Sequence, residues 1–159
     1  IAPAGFGKVQ TSIPFFMRIP GVIEWAMHVL ADRFYGSAIS SETAHSNDPL
    51  SINEEEFQQL FSFQMQFKGF RESLASTMRN FNLFDAREMF EKVAAKNIPS
   101  IAIWGDNDGI VSYKGAETYL EIFHKGKVIT IEDGTHDITY RQPSDVLEAI
   151  KIFLDSQIS

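Results

Sequence analysis

Two polar loops carry the residues best suited to chemistry. The first is Gly105-Asp106-Asn107-Asp108-Gly109, and the second is Glu132-Asp133-Gly134-Thr135-His136-Asp137. A carboxylate beside an imidazole makes most of a proton relay. The imidazole takes a proton from a nucleophile and returns it to a leaving group, while the carboxylate fixes its tautomer and stabilises the imidazolium. Asp108 and His136 are the pair this chemistry selects, with Asp106 a rival for the acid. Both have plainer readings. Asp108 can be a loop aspartate bonding its own backbone in an Asx-turn, and His136 an exposed loop histidine. His28, His45 and His124 lack a comparable context and are expected to be structural or solvated. Asp106 to Gly109 also hints at a calcium loop, but that pattern would place Trp104 at the first ligand position and misplaces the closing Glu. The relay needs no metal and no cofactor.

The elements around these loops are expected to position them. Ile98 to Trp104 is a short continuous apolar run, suited to a strand buried on both faces. A helix follows from about Ser112 to Phe123, with Tyr113, Ala116, Tyr119, Leu120 and Phe123 inward. Lys127 to Ile131 is a second, β-branched strand, and residues 132–142 form a loop. Pro143 then opens a last helix whose buried stripe is Val146, Leu147, Ile150, Phe153 and Leu154. A strand–loop–helix repeat of this kind implies parallel strands in an α/β sheet. Ligands in such sheets bind beyond the carboxyl ends of the strands, so both polar loops fall on one functional edge.

The earlier part of the chain reads differently. Residues 1–14 are loop-like, opening with what resembles the end of a buried strand. Helical spacing runs from Phe15 to Phe34 through Val22, Ile23, Ala26, Met27, Leu30 and Phe34, interrupted by Pro20-Gly21. Residues 36–52 are polar and read as an exposed loop. Asn53 can cap a second helix reciprocally with Glu56, with Ile52 and Phe57 as its staple. Phe57, Leu60, Phe61 and Met65 share a face of it. They suit plain helix packing, or the lining of an acyl or aromatic pocket. After Gly69, residues Phe70, Leu74, Met78 and Phe81 make another stripe. Asp85 and Glu88 form a second capping pair, stapled by Phe84 and Met89, for a helix ending near Asn97. The run Glu54-Glu55-Glu56 suits a solvated first turn that complements the helix dipole.

Composition narrows the partners. The net charge is −7 and no basic stripe is present, which argues against nucleic acid or an anionic membrane. No apolar run approaches spanning length. The chain has no cysteine, which excludes disulfides and thiolate metal sites and fits a reducing, cytoplasmic setting.

The segment Ile98 to Val111 resembles the "iPtliiwGxxDxiv" stretch of the α/β-hydrolase superfamily, and Glu132 to Asp137 resembles its "GxH" loop. Pro143 to Leu154 is similar to its closing helix. The resemblance implies a C-terminal α/β core portion over 83–159, a helical cap or lid over 15–82, and a strand end and loop over 1–14. It implies Asp108 as catalytic acid and His136 as base. It further implies a hydrolase acting on a small-molecule ester or related hydrophobic substrate, esterase-like, lipase-like or cleaving carbon–carbon bonds. The family's nucleophile elbow, G-x-S-x-G, is absent. Gly36-Ser37-Ala38-Ile39-Ser40 fails the pattern and follows a helix, where the elbow needs a strand. The early strands of the sheet are missing too, so the chain reads as the C-terminal part of a longer parent, inactive alone. Dimerisation, or pairing with the missing N-terminal half, would cover its exposed sheet. The alternative is a non-catalytic binding or interaction protein on the same fold.

Overall fold

The structure, a computed structural model, describes residues 1–6, 19, 21–29, 47–80 and 85–158. Its elements in order are α1 (Val22–Val29), α2 (Glu54–Gln64), α3 (Phe70–Asn80), α4 (Arg87–Ala94), β1 (Ile101–Gly105), α5 (Gly115–Ile122), β2 (Lys127–Ile131), α6 (Ile138–Arg141) and α7 (Pro143–Ile158). They divide between two compact units. One comprises Ile1–Val9, Ala44–Ser51 and Phe84–Ser159; the other comprises Gln10–Thr43 and Ile52–Leu83.

The first unit is built on β1 and β2, which pair in parallel from Ile101↔Lys127 to Gly105↔Ile131. Side chains alternate across a strand, and β1 shows how that feeds two cores. Ala102 and Trp104 join Ala2, Phe6, Ala116, Tyr119 and Ile122 in one cluster. Ile103 joins Ile131, Ile138, Val146 and Ala149 in the other. Helices therefore cover both faces, α5 on one and α6 and α7 on the other, which is why β1 reads as an unbroken apolar run. The first cluster is rich in rings: Phe6 stacks on Phe90 at 4.1 Å, and Tyr119 stacks on Phe123 at 4.8 Å. The Tyr119 hydroxyl donates to Ser100 Oγ at 2.8 Å, and burial pushes its pKa up despite that bond.

Several boundaries move. β1 starts at Ile101, because Ile98 is exposed and the turn before it bends through Asn97 at φ 55°. Asp85 does not cap α4. The N-cap is Ala86, while Asp85 bridges Phe6 and accepts the Arg87 N–H, and Glu88 pairs instead with Lys92. Met89 is exposed, and Phe84 lies outside the described residues. On α5, Thr118 and Ile122 turn inward and Leu120 outward. On α7, Val146 and Ala149 are buried while Leu147 and Leu154 are exposed. In both helices small or β-branched residues replaced leucines at the contact, because tightly apposed layers select for fit rather than for apolar bulk. The stretch 132–142 contains the short α6. Residues 1–5 form no regular strand, although the Ala2 N–H donates to the Ile103 carbonyl at 2.8 Å.

In the second unit, α1 begins after Gly21 at φ 91°, where the sequence pattern is interrupted. Its expected extensions, 15–18 and 30–34, lie outside the described residues, as do 36–46 and Phe81. α1 packs on α3 through Ile23, Leu74 and Ala75, and Arg79 pairs with Glu24. That hydrogen bond holds the Glu24 carboxyl below its ordinary value. α2 has the expected capping box: Asn53 Oδ1 accepts the Glu56 N–H at 2.9 Å, and Glu56 Oε2 accepts the Asn53 N–H at 3.0 Å. None of the α2 residues is buried.

Candidate active site

The two polar loops leave the carboxyl ends of adjacent parallel strands, and close backbone contact locks them together. The Asp106 N–H donates to the Ile131 carbonyl at 3.2 Å, and the Asn107 N–H to the Gly134 carbonyl at 2.9 Å. Asn107 Nδ2 adds a bond to Asp133 Oδ1 at 3.3 Å. This approach requires glycine on both sides. A Cβ on Gly105 would stand 2.2 Å from the Gly134 carbonyl oxygen, and one on Gly134 would stand 2.9 Å from the Gly105 Cα.

Asp108 sits at the turn out of β1, its side chain wholly out of solvent. Oδ1 accepts the N–H groups of Ile110 at 2.9 Å and Val111 at 2.7 Å. Oδ2 faces His136 Nδ1 at 3.0 Å. The Asx-turn and the histidine pairing are therefore one arrangement: two backbone donors hold one oxygen, and this aims the other at the imidazole. The loop beyond is tied back to the strand, since the Trp104 indole N–H donates to the Val111 carbonyl at 2.8 Å. His136 keeps 36% of its side chain exposed, so the ring is partly open to solvent. With a carboxylate at Nδ1, the neutral ring carries its proton there and presents Nε2 as the basic atom.

Asp106, the rival acid, is exposed, and the imidazole pairs with Asp108 instead. His124 is exposed too, at the far end of α5. His45 lies outside the described residues, as does the side chain of His28.

The sequence did not single out the supports around His136. Thr135 Oγ1 donates to Asp137 Oδ1, and Arg141 Nε donates to Asp137 Oδ2 at 3.0 Å. Arg141 is buried. Further on, Asp48 accepts the Ser144 N–H at 2.8 Å and its hydroxyl at 2.9 Å, capping the start of α7 from a segment 96 residues away. Burial raises the Asp48 pKa, but hydrogen bonds from Leu50 and Ser144 outweigh it and hold the carboxyl below its usual value. A sequence signal existed only for Gly134, as the glycine two residues before the histidine. Long-range side-chain bonds leave no periodic trace.

The architecture matches a solved one. A bromoperoxidase from Bacillus anthracis superposes with a TM-score of 0.68 at 19% identity, covering 97% of this chain and 55% of that one. The fold is that of the C-terminal part of an α/β-hydrolase. This chain spans about half the length of that bromoperoxidase. No protein-family model matches the chain, and no curated protein matches it. Among the described residues no group of three or more His, Cys, Asp or Glu is arranged to hold a metal. No described helix is long and apolar enough to cross a membrane.

Proposed function

We propose that this chain supplies the acid–base half of an α/β-fold hydrolase, with His136 as general base and Asp108 as the residue that orients it. The observation carrying this reading is the 3.0 Å approach of Asp108 Oδ2 to His136 Nδ1, with Oδ1 already held by two backbone N–H groups. A carboxylate so placed fixes the tautomer in which Nε2 is the basic atom, the one that would take a nucleophile's proton. A nucleophile from outside these 159 residues would attack an ester or a related bond in a small hydrophobic substrate. His136 would then protonate the leaving group, and Asp108 would stabilise the imidazolium without itself becoming protonated. Serine at the nucleophile position gives esterase, lipase-like or carbon–carbon bond hydrolase chemistry. The helices of the second unit are read as the cap region of such an enzyme.

Alone, the chain would hold a proton shuttle with nothing to activate, and a fluorophosphonate probe should label no serine in it. On α7, Leu147, Leu154 and Ile158 are exposed along one flank, a surface suited to the remaining part of the fold or to a second copy. Light scattering on the purified chain would register self-association. The deciding experiment joins the chain to a segment carrying the nucleophile and follows a chromogenic short ester. His136→Ala should lower kcat by about 10⁴-fold or more. Full turnover in that variant would remove His136 from the chemistry, while no turnover in the unaltered joined protein would favour a binding role for the fold.

A further inference from the structure

Histidine loops on strand ends need more than the carboxylate partner, because the backbone beneath the ring must also be fixed. Three features hold it here. On the upstream side, the Gly134 carbonyl accepts the Asn107 N–H at 2.9 Å, and the Gly134 N–H donates to the Ile131 carbonyl at 3.2 Å. On the downstream side, the Asp137 carbonyl accepts the N–H groups of Tyr140 at 2.8 Å and Arg141 at 3.0 Å. Across His136 itself, Thr135 Oγ1 donates to Asp137 Oδ1, so the residues before and after the histidine are joined through their side chains.

We propose that Thr135, Asp137 and Arg141 form a clasp that positions His136, with Arg141 as its anchor. The Asp137 carboxylate is divided between its two oxygens: Oδ1 serves Thr135, and Oδ2 takes the Arg141 Nε at 3.0 Å. The Arg141 side chain is only 8% exposed and the Asp137 side chain 19%, so their pairing is shielded from solvent. A buried guanidinium cannot shed its charge. Once placed, it demands a carboxylate at that spot, and the demand falls on the residue next to the histidine. The clasp restricts the backbone on both sides of His136, as the two backbone N–H groups of Ile110 and Val111 restrict Asp108. Both partners of the relay thus reach each other already oriented. Arg141 also neutralises a carboxylate that would otherwise stand one residue from the imidazole without a countercharge.

The proposal deepens the hydrolase reading and rests on it for the meaning of the clasp, but its test does not depend on turnover. Nitrogen-15 spectra of the histidine rings in the full chain report the tautomer of His136. The unaltered protein should show one dominant form, protonated at Nδ1. Thr135→Val keeps the shape and the Arg141–Asp137 pair but removes one arm of the clasp, and should give a mixed or exchange-broadened His136 signal with the other histidines unchanged. Asp137→Ala should give the larger change, and Asp137→Asn, which keeps an acceptor oxygen, should restore part of the single form. A folded Thr135→Val and a folded Asp137→Asn, both with the original His136 signal, would overturn the clasp even if Asp137→Ala failed to fold. With the nucleophile segment supplied, Thr135→Val should lower kcat on the order of tenfold with KM unchanged. Tautomer changes with full activity in His136→Ala would retain the clasp and remove the hydrolase reading. Lost activity in His136→Ala with no tautomer change in the clasp variants would do the reverse.

Discussion

The strand-edge unit and the helical unit solve the same problem with different means. Around β1 and β2, the Asp108–His136 pair is assembled from loops 28 residues apart and held by buried side chains, close glycine contact and backbone donors. In the helical unit, α2 opens on a capping box between residues three positions apart, and none of its residues is buried. The Asp108–His136 site owes its shape to contacts across the chain, the start of α2 to signals read within a single turn. The lesson is about sensitivity. The site should fail from changes at distant, unremarkable positions, and the start of α2 from changes at its own cap.

The two tryptophans make this comparison measurable. Trp104 is wholly buried in the strand-edge unit, while Trp25 on α1 is 61% exposed, so their emissions report the units separately. The largest effect should come from Trp104→Ala, which empties the centre of the ring cluster and orphans the Val111 carbonyl. It should cost about 4 kcal/mol, read by denaturant titration followed by circular dichroism, and weaken the turn that carries Asp108. Gly105→Ala comes next. Its Cβ would meet the Gly134 carbonyl and must push the loops apart, at roughly 2–3 kcal/mol and with loss of the Asp108–His136 contact. If Gly105→Ala left stability and the His136 ring signal unchanged, the glycine contact would not be what joins the loops. For α2, Asn53→Ala removes the capping box and should cost about 1 kcal/mol of helix stability, with no shift in the Trp104 emission. A matching loss around Trp104 would dissolve the contrast between the units.

The smallest effect sharpens the comparison through pH. The Asp48 carboxyl is held below its ordinary value, so its stabilising contribution is complete above that value, near pH 4, and is lost as pH falls through the lower, folded value. At neutral pH the unaltered chain should be more stable than Asp48→Asn, with the gap closing in acid. A gap that persisted unchanged to low pH would show that the carboxylate charge is not what holds the start of α7.

Legibility differed along the chain for physical reasons. The α2 cap was readable because Asn53 and Glu56 satisfy each other within one turn. β1 was readable because a strand covered on both faces must be apolar throughout, β2 from its β-branched residues, and the parallel pairing followed from the helix between them. The choice between Leu120 and Thr118, or between Leu147 and Ala149, was not readable, because burial there depends on how closely each helix lies on the sheet. Asp85 looked like a cap with Glu88, yet its bridge to Phe6 and the Glu88–Lys92 pair replaced that local motif. Tertiary pairing overrode a propensity worth about 1 kcal/mol.

By itself, the sequence determined the fold class and the two residues worth watching. Asp108 and His136 lie at the ends of successive strands, and that follows from the order of elements alone. It left open which aspartate, Asp108 or Asp106, meets the imidazole. Only the tertiary structure decided that. Asp106 is exposed, while the Asp108 carboxylate is buried, with one oxygen tied to Ile110 and Val111 and the other facing His136. Spacing along a chain states which groups can share an edge of a sheet. Which oxygen meets which nitrogen is settled by backbone donors, glycine contacts and buried ion pairs that come together only when the strands do.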